Sequence, residues 1–134
     1  MKPTLVINDL HLGVTRVAGT TQESARQLRA YLQDAFVELL DMAPGRVVIN
    51  GDLTDQFDIP LGEALDIYAA LDGYMSKRDT NEVLLAIGNH DLSKDSSKLG
   101  TVQFVGSLLE MKYPERFGLI ARPTTFDGMH IIPH

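Results

Sequence analysis

Apolar and polar positions follow one rhythm through the N-terminal two-thirds of the chain: a short apolar run, a polar turn, then a long amphipathic stretch. Leu5-Val6-Ile7 reads as a first strand, and Asn8-Asp9-Leu10-His11-Leu12-Gly13 turns away from it. From Gln22 to Met42, apolar residues fall at Ala25, Leu28, Leu32, Ala35, Phe36 and Leu39, which is helical spacing. Thr20 with Glu23 is the expected capping box at its start, and Pro44-Gly45 stops it. Val47-Val48-Ile49 predicts a second strand, ending in Asn50-Gly51-Asp52. Leu61 to Ser76 predicts a second helix with Leu65, Tyr68, Leu71 and Met75 on one face. Val83 to Ile87 predicts a third strand, running into Gly88-Asn89-His90-Asp91. These strands are continuous apolar runs, the pattern of strands covered on both faces. Strand and helix in alternation predict an α/β fold with a mostly parallel sheet.

Beyond Asp91 the rhythm changes. Ser93 to Gly100 is polar, carries Lys94 and Lys98, and reads as an exposed loop. Thr101 to Lys112 predicts a third helix with Val102, Val105, Leu108 and Leu109 together. Gly118–Ala121 and Met129–Ile132 read as two short strands, and no internal repeat or linker interrupts the chain.

Length and composition narrow the classes. At 134 residues and 44% hydrophobic content, the chain suits one domain with one core. It has no cysteine, which excludes a disulfide scaffold and thiolate metal sites and leads us to expect a cytoplasmic setting. No apolar run is long enough to span a bilayer, and the first residues do not read as a signal peptide. The net charge of −6 excludes holding nucleic acid by bulk charge alone. A phosphate substrate would need local cations.

The polar residues at the strand ends supply that possibility. Ligands of open α/β sheets bind outside the carboxyl ends of the strands. Asp9 and His11 follow the first strand, Asp52 and Asp55 the second, and Asn89, His90 and Asp91 the third. His134 follows the last strand in the same sense, so four stretches are expected to deliver O and N donors to one sheet edge. Carboxylate, imidazole and amide donors without sulfur suit Mn²⁺, Fe, Zn²⁺ or Mg²⁺. Crowded carboxylates repel, and divalent cations remove that conflict. Two ions ~3.5–4 Å apart are a recurrent device for cleaving phosphate esters.

Taken in order, Asp9-x-His11, Gly51-Asp52-x-x-Asp55 and Gly88-Asn89-His90-Asp91 resemble the motifs of the calcineurin-like metallophosphoesterases. The spacings fit, with 43 residues from Asp9 to Asp52 and 37 from Asp52 to Asn89. The resemblance implies an α/β/β/α sandwich, of which this chain would supply the N-terminal sheet half with its helices. It also implies two divalent metal ions, with Mn²⁺ the leading choice. Asp9 and His11 would bind the first, Asp52 would bridge both, and Asn89 and His134 would bind the second. A metal-bridging hydroxide would be the nucleophile. His90 would face the phosphate, with Asp91 orienting it, and Asp55 would orient a ligand histidine. His130 lies about 13 Å from His134 along an extended strand, so both cannot serve one metal pair; His130 is read as a packed or surface residue.

The family's closing Gly-His-x-His is absent, since the chain has no Gly-His pair. The expectation is therefore a fragment of a longer enzyme, with completion by another chain or a non-catalytic interaction domain as the alternatives. Asp9-Leu10-His11-Leu12-Gly13 with Gly51-Asp52-Leu53 is most similar to the DNA repair and recombination exonuclease branch. That branch implies a DNA substrate and an accessory ATPase subunit; a homodimer is a further expectation. Gly51-Asp52-Leu53-Thr54-Asp55 is also similar to cyclic-nucleotide phosphodiesterases, which makes a small phosphodiester the alternative substrate.

Overall fold

The computed structural model describes residues 2–13, 21–54, 58–87 and 100–133. Four strands, β1 (Thr4–Ile7), β2 (Arg46–Asn50), β3 (Glu82–Ala86) and β4 (Phe117–Ile120), form one parallel sheet in the order β1-β2-β3-β4. Three helices supply the crossovers: α1 (Gln22–Met42), α2 (Leu61–Lys77) and α3 (Thr101–Lys112). Two further strands, β5 (Thr124–Phe126) and β6 (Met129–Ile131), form a separate antiparallel hairpin. Among the described residues, no helix is long and apolar enough to cross a membrane.

Side chains alternate across a strand with period two, which sorts the sheet into two faces. One face carries Ile7, Val47, Ile49, Val83, Leu85 and Phe117. Against it pack Phe36 and Leu40 of α1, Ile67, Leu71 and Met75 of α2, and Val102, Val105 and Leu109 of α3. All three helices therefore share one core on one side of the sheet. Val48, Ala86 and Ile120 point to the other side, where they meet Ile131 and Met129 of the hairpin. Val6, on that same face, is 51% exposed, so the edge strand β1 is covered on one side only. The expected two-sided cover holds for β2, whose first four residues are all buried.

The helix limits follow from local chemistry, with three corrections. The α1 cap is Thr21, not Thr20: its hydroxyl accepts the Ser24 N–H at 3.1 Å, while Glu23 turns outward to Arg26. Thr20 itself lies outside the described residues. On α2 the buried row is Ala64, Ile67, Leu71, Tyr74 and Met75, and Leu65 faces solvent. On α3, Val102, Val105 and Leu109 are buried but Leu108 is exposed. There Gly106 allows close approach: a Cβ added to it would lie 2.5 Å from Leu119 Cδ2.

The last strand also departs from expectation. β6 does not extend the parallel sheet; it pairs with β5 through Thr125↔His130 and Phe126↔Met129. Asp127 and Gly128, both at positive φ, form the tight turn, as an Asp-Gly pair favours. Arg46, at the start of β2 and only 4% exposed, pins this turn. Its guanidinium donates to Glu82 at 2.9 Å and to Asp127 at 2.8 Å, and lies 4.9 Å from the Phe126 ring centroid.

Candidate metal centre

Register sets the site. Ile7 pairs with Ile49, Ile49 with Leu85, and Leu85 with Leu119, so the parallel strands end level at one edge. The residues immediately after β1 and β2 must then emerge side by side. The chain reverses there through left-handed backbone: Asp9 and His11 both have φ of 51°, and Asp52 has 49° after Gly51 at 84°. Asp, Asn and His are the non-glycine residues that enter this region most readily. Three such residues in two adjacent turns hold conformational strain, which clusters at functional sites.

Two hydrogen bonds keep these turns together. His11 N–H donates to the Asp52 carbonyl at 3.1 Å, and Leu12 N–H donates to the Leu53 carbonyl at 2.8 Å. A parallel bridge between Leu12 and Thr54 continues the pairing. Leu12 and Leu53, each 1% exposed, plug into the core beneath the turns. The alternating polar residues are thereby left at the edge.

Asp9, His11 and Asp52 come together as the sequence motifs predict. One ligand atom from each lies within 4.8 Å of the others. Asp9 is exposed, while His11 and Asp52 are half-buried, with His11 Nδ1 and Asp52 Oδ1 shielded from solvent. Bonds of ~2.1 Å around one ion span donors up to about 4 Å apart, so side-chain shifts below roughly 1 Å close the set around a cation. Two carboxylates and an imidazole fit a hard or borderline divalent ion. The donor set and its packing thus fit a metal site.

Asp55, Asn89, His90, Asp91 and His134 lie outside the described residues, as does the loop over residues 93–99. His130 is exposed, and its Nδ1 pairs with Thr125 Oγ1 at 2.9 Å. It is a surface residue of the hairpin, in keeping with the sequence reading.

Sequence reasoning missed the packing behind the site. Gly13, at φ 78°, sits against Ile59: a Cβ on it would lie 2.8 Å from Ile59 Cγ2. Ile59 N–H in turn donates to Thr101 Oγ1 at 3.2 Å. The glycine after Asp9-Leu10-His11-Leu12 was the one available signal.

A family model for the calcineurin-like phosphoesterases matches residues 2–130. With the parallel half-sandwich and the clustered Asp9, His11 and Asp52, the chain belongs to this family of metal-dependent phosphoesterases. No curated protein sequence matches it significantly.

Proposed function

We propose that this calcineurin-like phosphoesterase hydrolyses phosphodiester bonds of DNA with two divalent ions, Mn²⁺ foremost. The observation that carries a metal-dependent hydrolase is the convergence of Asp9, His11 and Asp52 at the carboxyl edge of the sheet. The narrower DNA reading is supported by the resemblance of Asp9-Leu10-His11-Leu12-Gly13 and Gly51-Asp52-Leu53 to the repair exonucleases.

In this reading Asp9, His11, Asp52, Asn89 and His134 would hold the two ions. Bound there, the ions would neutralise phosphate charge and lower the pKa of coordinated water. The chain's own part is positioning and proton transfer. His90, oriented by Asp91, hydrogen-bonds the phosphate and donates a proton to the leaving oxygen. Asp55 orients a ligand histidine. Lys94 and Lys98 lie in the sequence beside Gly88-Asn89-His90-Asp91 and can meet flanking phosphates. Arg26 and Arg29 of α1 are engaged by Glu23 and Glu63 at 2.6 and 3.6 Å, and add no basic track of their own. Lys94 and Lys98 are the proposed polymer contacts, with an ATPase subunit or a second copy as proposed partners.

The test is Mn²⁺-dependent release of nucleotides from duplex DNA, abolished in His90→Ala and by EDTA. Rapid hydrolysis of cyclic AMP with no action on DNA overturns the DNA reading and keeps the phosphoesterase.

A further inference from the structure

We propose that Thr101 and Ile59 act as positioning residues that set the metal affinity of the centre, a role that rests on the metal-site reading above. The segments that follow the first two strands have to be held in register at the site edge, and one small contact chain ties them to α3. Thr101, the first residue of α3, is 9% exposed, and its hydroxyl accepts the Ile59 N–H at 3.2 Å. Ile59 precedes α2 and belongs to the segment that follows the second strand. Its side chain lies against Gly13, where a Cβ would meet Ile59 Cγ2, Cβ and Cδ1 at 2.8, 3.0 and 3.3 Å. Gly13 closes the turn that carries Asp9 and His11, and that turn is bonded to Asp52 and Leu53 through His11 N–H and Leu12 N–H.

The chain of contacts therefore runs from α3, through Ile59 and Gly13, to the backbone bearing the three donors. None of its members is a ligand. Thr101 begins the element that comes next in the sequence, ten residues after Asp91. The left-handed turns at Asp9, His11 and Asp52 are held by their surroundings, and this clamp is one such restraint. Residues that orient metal ligands without touching the metal typically change affinity by about 10–100-fold when removed. Thr101 acts through two intermediates, so a loss near the lower end, roughly tenfold, is expected.

The experiment titrates Mn²⁺ into the 134-residue chain by calorimetry and records thermal melts beside each titration. Thr101→Val removes the acceptor at nearly constant volume, and Thr101→Ser restores it. Ile59→Ala removes the contact with Gly13 from a half-buried loop position and serves if Thr101→Val fails to fold. Tyr74→Phe is the stability control, because it deletes the hydroxyl's bond to the Pro44 carbonyl at the opposite end of the sheet. The expected result is roughly tenfold weaker Mn²⁺ binding in Thr101→Val and Ile59→Ala, with Thr101→Ser and Tyr74→Phe near wild type. Wild-type affinity in Thr101→Val and Ile59→Ala overturns the clamp and leaves the metal centre standing. Equal weakening in Tyr74→Phe also overturns it, since affinity would then track stability alone. No Mn²⁺ binding by the wild-type chain takes down the metal reading and the clamp together.

Discussion

Replacing Asp52 by Asn should make the metal-free protein more stable and the metal-loaded protein less so. Asp52 sits at φ 49°, a backbone that Asn accepts as readily as Asp, so the turn survives while the carboxylate charge is lost. Asp9 and Asp52 offer oxygens within 4.8 Å of each other. Two like charges at that distance repel by about 3.5 kcal/mol at an effective dielectric of ~20, and by about 0.9 kcal/mol in bulk water. With Asp9 exposed, solvent screening keeps the relief near the lower limit, at about 1 kcal/mol or less. For a domain of this size, that raises Tm by up to roughly 4 °C. A cation reverses the balance. At 100 times its Kd, Mn²⁺ bound at the proposed site would stabilise the wild-type chain by about 2.7 kcal/mol, and the variant, with one carboxylate of the candidate set removed, should lose most of that gain. Thermal melts followed by circular dichroism, in EDTA and again in Mn²⁺, should therefore show the two proteins exchange rank. A variant that melts below wild type in EDTA refutes the repulsion argument. Equal Mn²⁺ shifts in both proteins refute the placement of Asp52 in the metal set.

Other predictions concern the scaffold. Arg46 holds the Asp127 carboxylate below its ordinary pKa, and Lys112 with Tyr113 does the same for Asp72. A lowered carboxylate pKa contributes stability above the unfolded value and loses it as pH falls through the folded one. Asp127→Asn and Asp72→Asn should accordingly lower stability near neutral pH and flatten its decline below about pH 4, as read by urea melts across pH. Asp127→Asn should leave Mn²⁺ affinity unchanged, because Arg46 lies at the far end of β2, five residues at ~3.3 Å from the site edge. Gly106→Ala sets a methyl 2.5 Å from Leu119 Cδ2. The clash is with the end of a half-buried side chain that can shift, so overpacking offsets most of the ~1 kcal/mol that Ala gains over Gly in a helix; Tm should stay close to wild type, and Gly106→Ala/Leu119→Ala should show positive coupling in a double-mutant cycle.

Much of the fold was legible because its elements are locally emphatic. The limits of α1 and α3 coincide with the expected Gln22–Met42 and Thr101–Lys112, and each strand of the parallel sheet lies within a residue of its apolar run. The interior of α2 was harder. Leu61, Ala64, Leu65, Ile67, Tyr68, Leu71, Tyr74 and Met75 surround most of the helix with apolar side chains, so periodicity alone did not select the buried face. The strand β5 had no pattern to find, since Thr124, Thr125 and Phe126 are all exposed. Only the Asp127-Gly128 turn announced the hairpin. Without β5, β6 read as another strand of the parallel sheet. In fact it is tied to the sheet from outside, through Ile131 and the Arg46–Asp127 pair.

The site was legible for a different reason. Asp9, His11 and Asp52 are informative because one residue type meets two demands at each position: a left-handed backbone and a metal-ligating side chain. A glycine would meet the first demand with less strain and could not meet the second. That trade is visible in a bare sequence as Asp-x-His and Gly-Asp after apolar runs. The restraints that make it tolerable are not, because Leu12, Leu53, Ile59 and Thr101 are ordinary core and loop residues until the fold brings them together. Motif residues thus report the chemistry of the edge, while its geometry is set by residues whose types carry no signal of their own. Mutational scans that target only the motif would measure the first and miss the second.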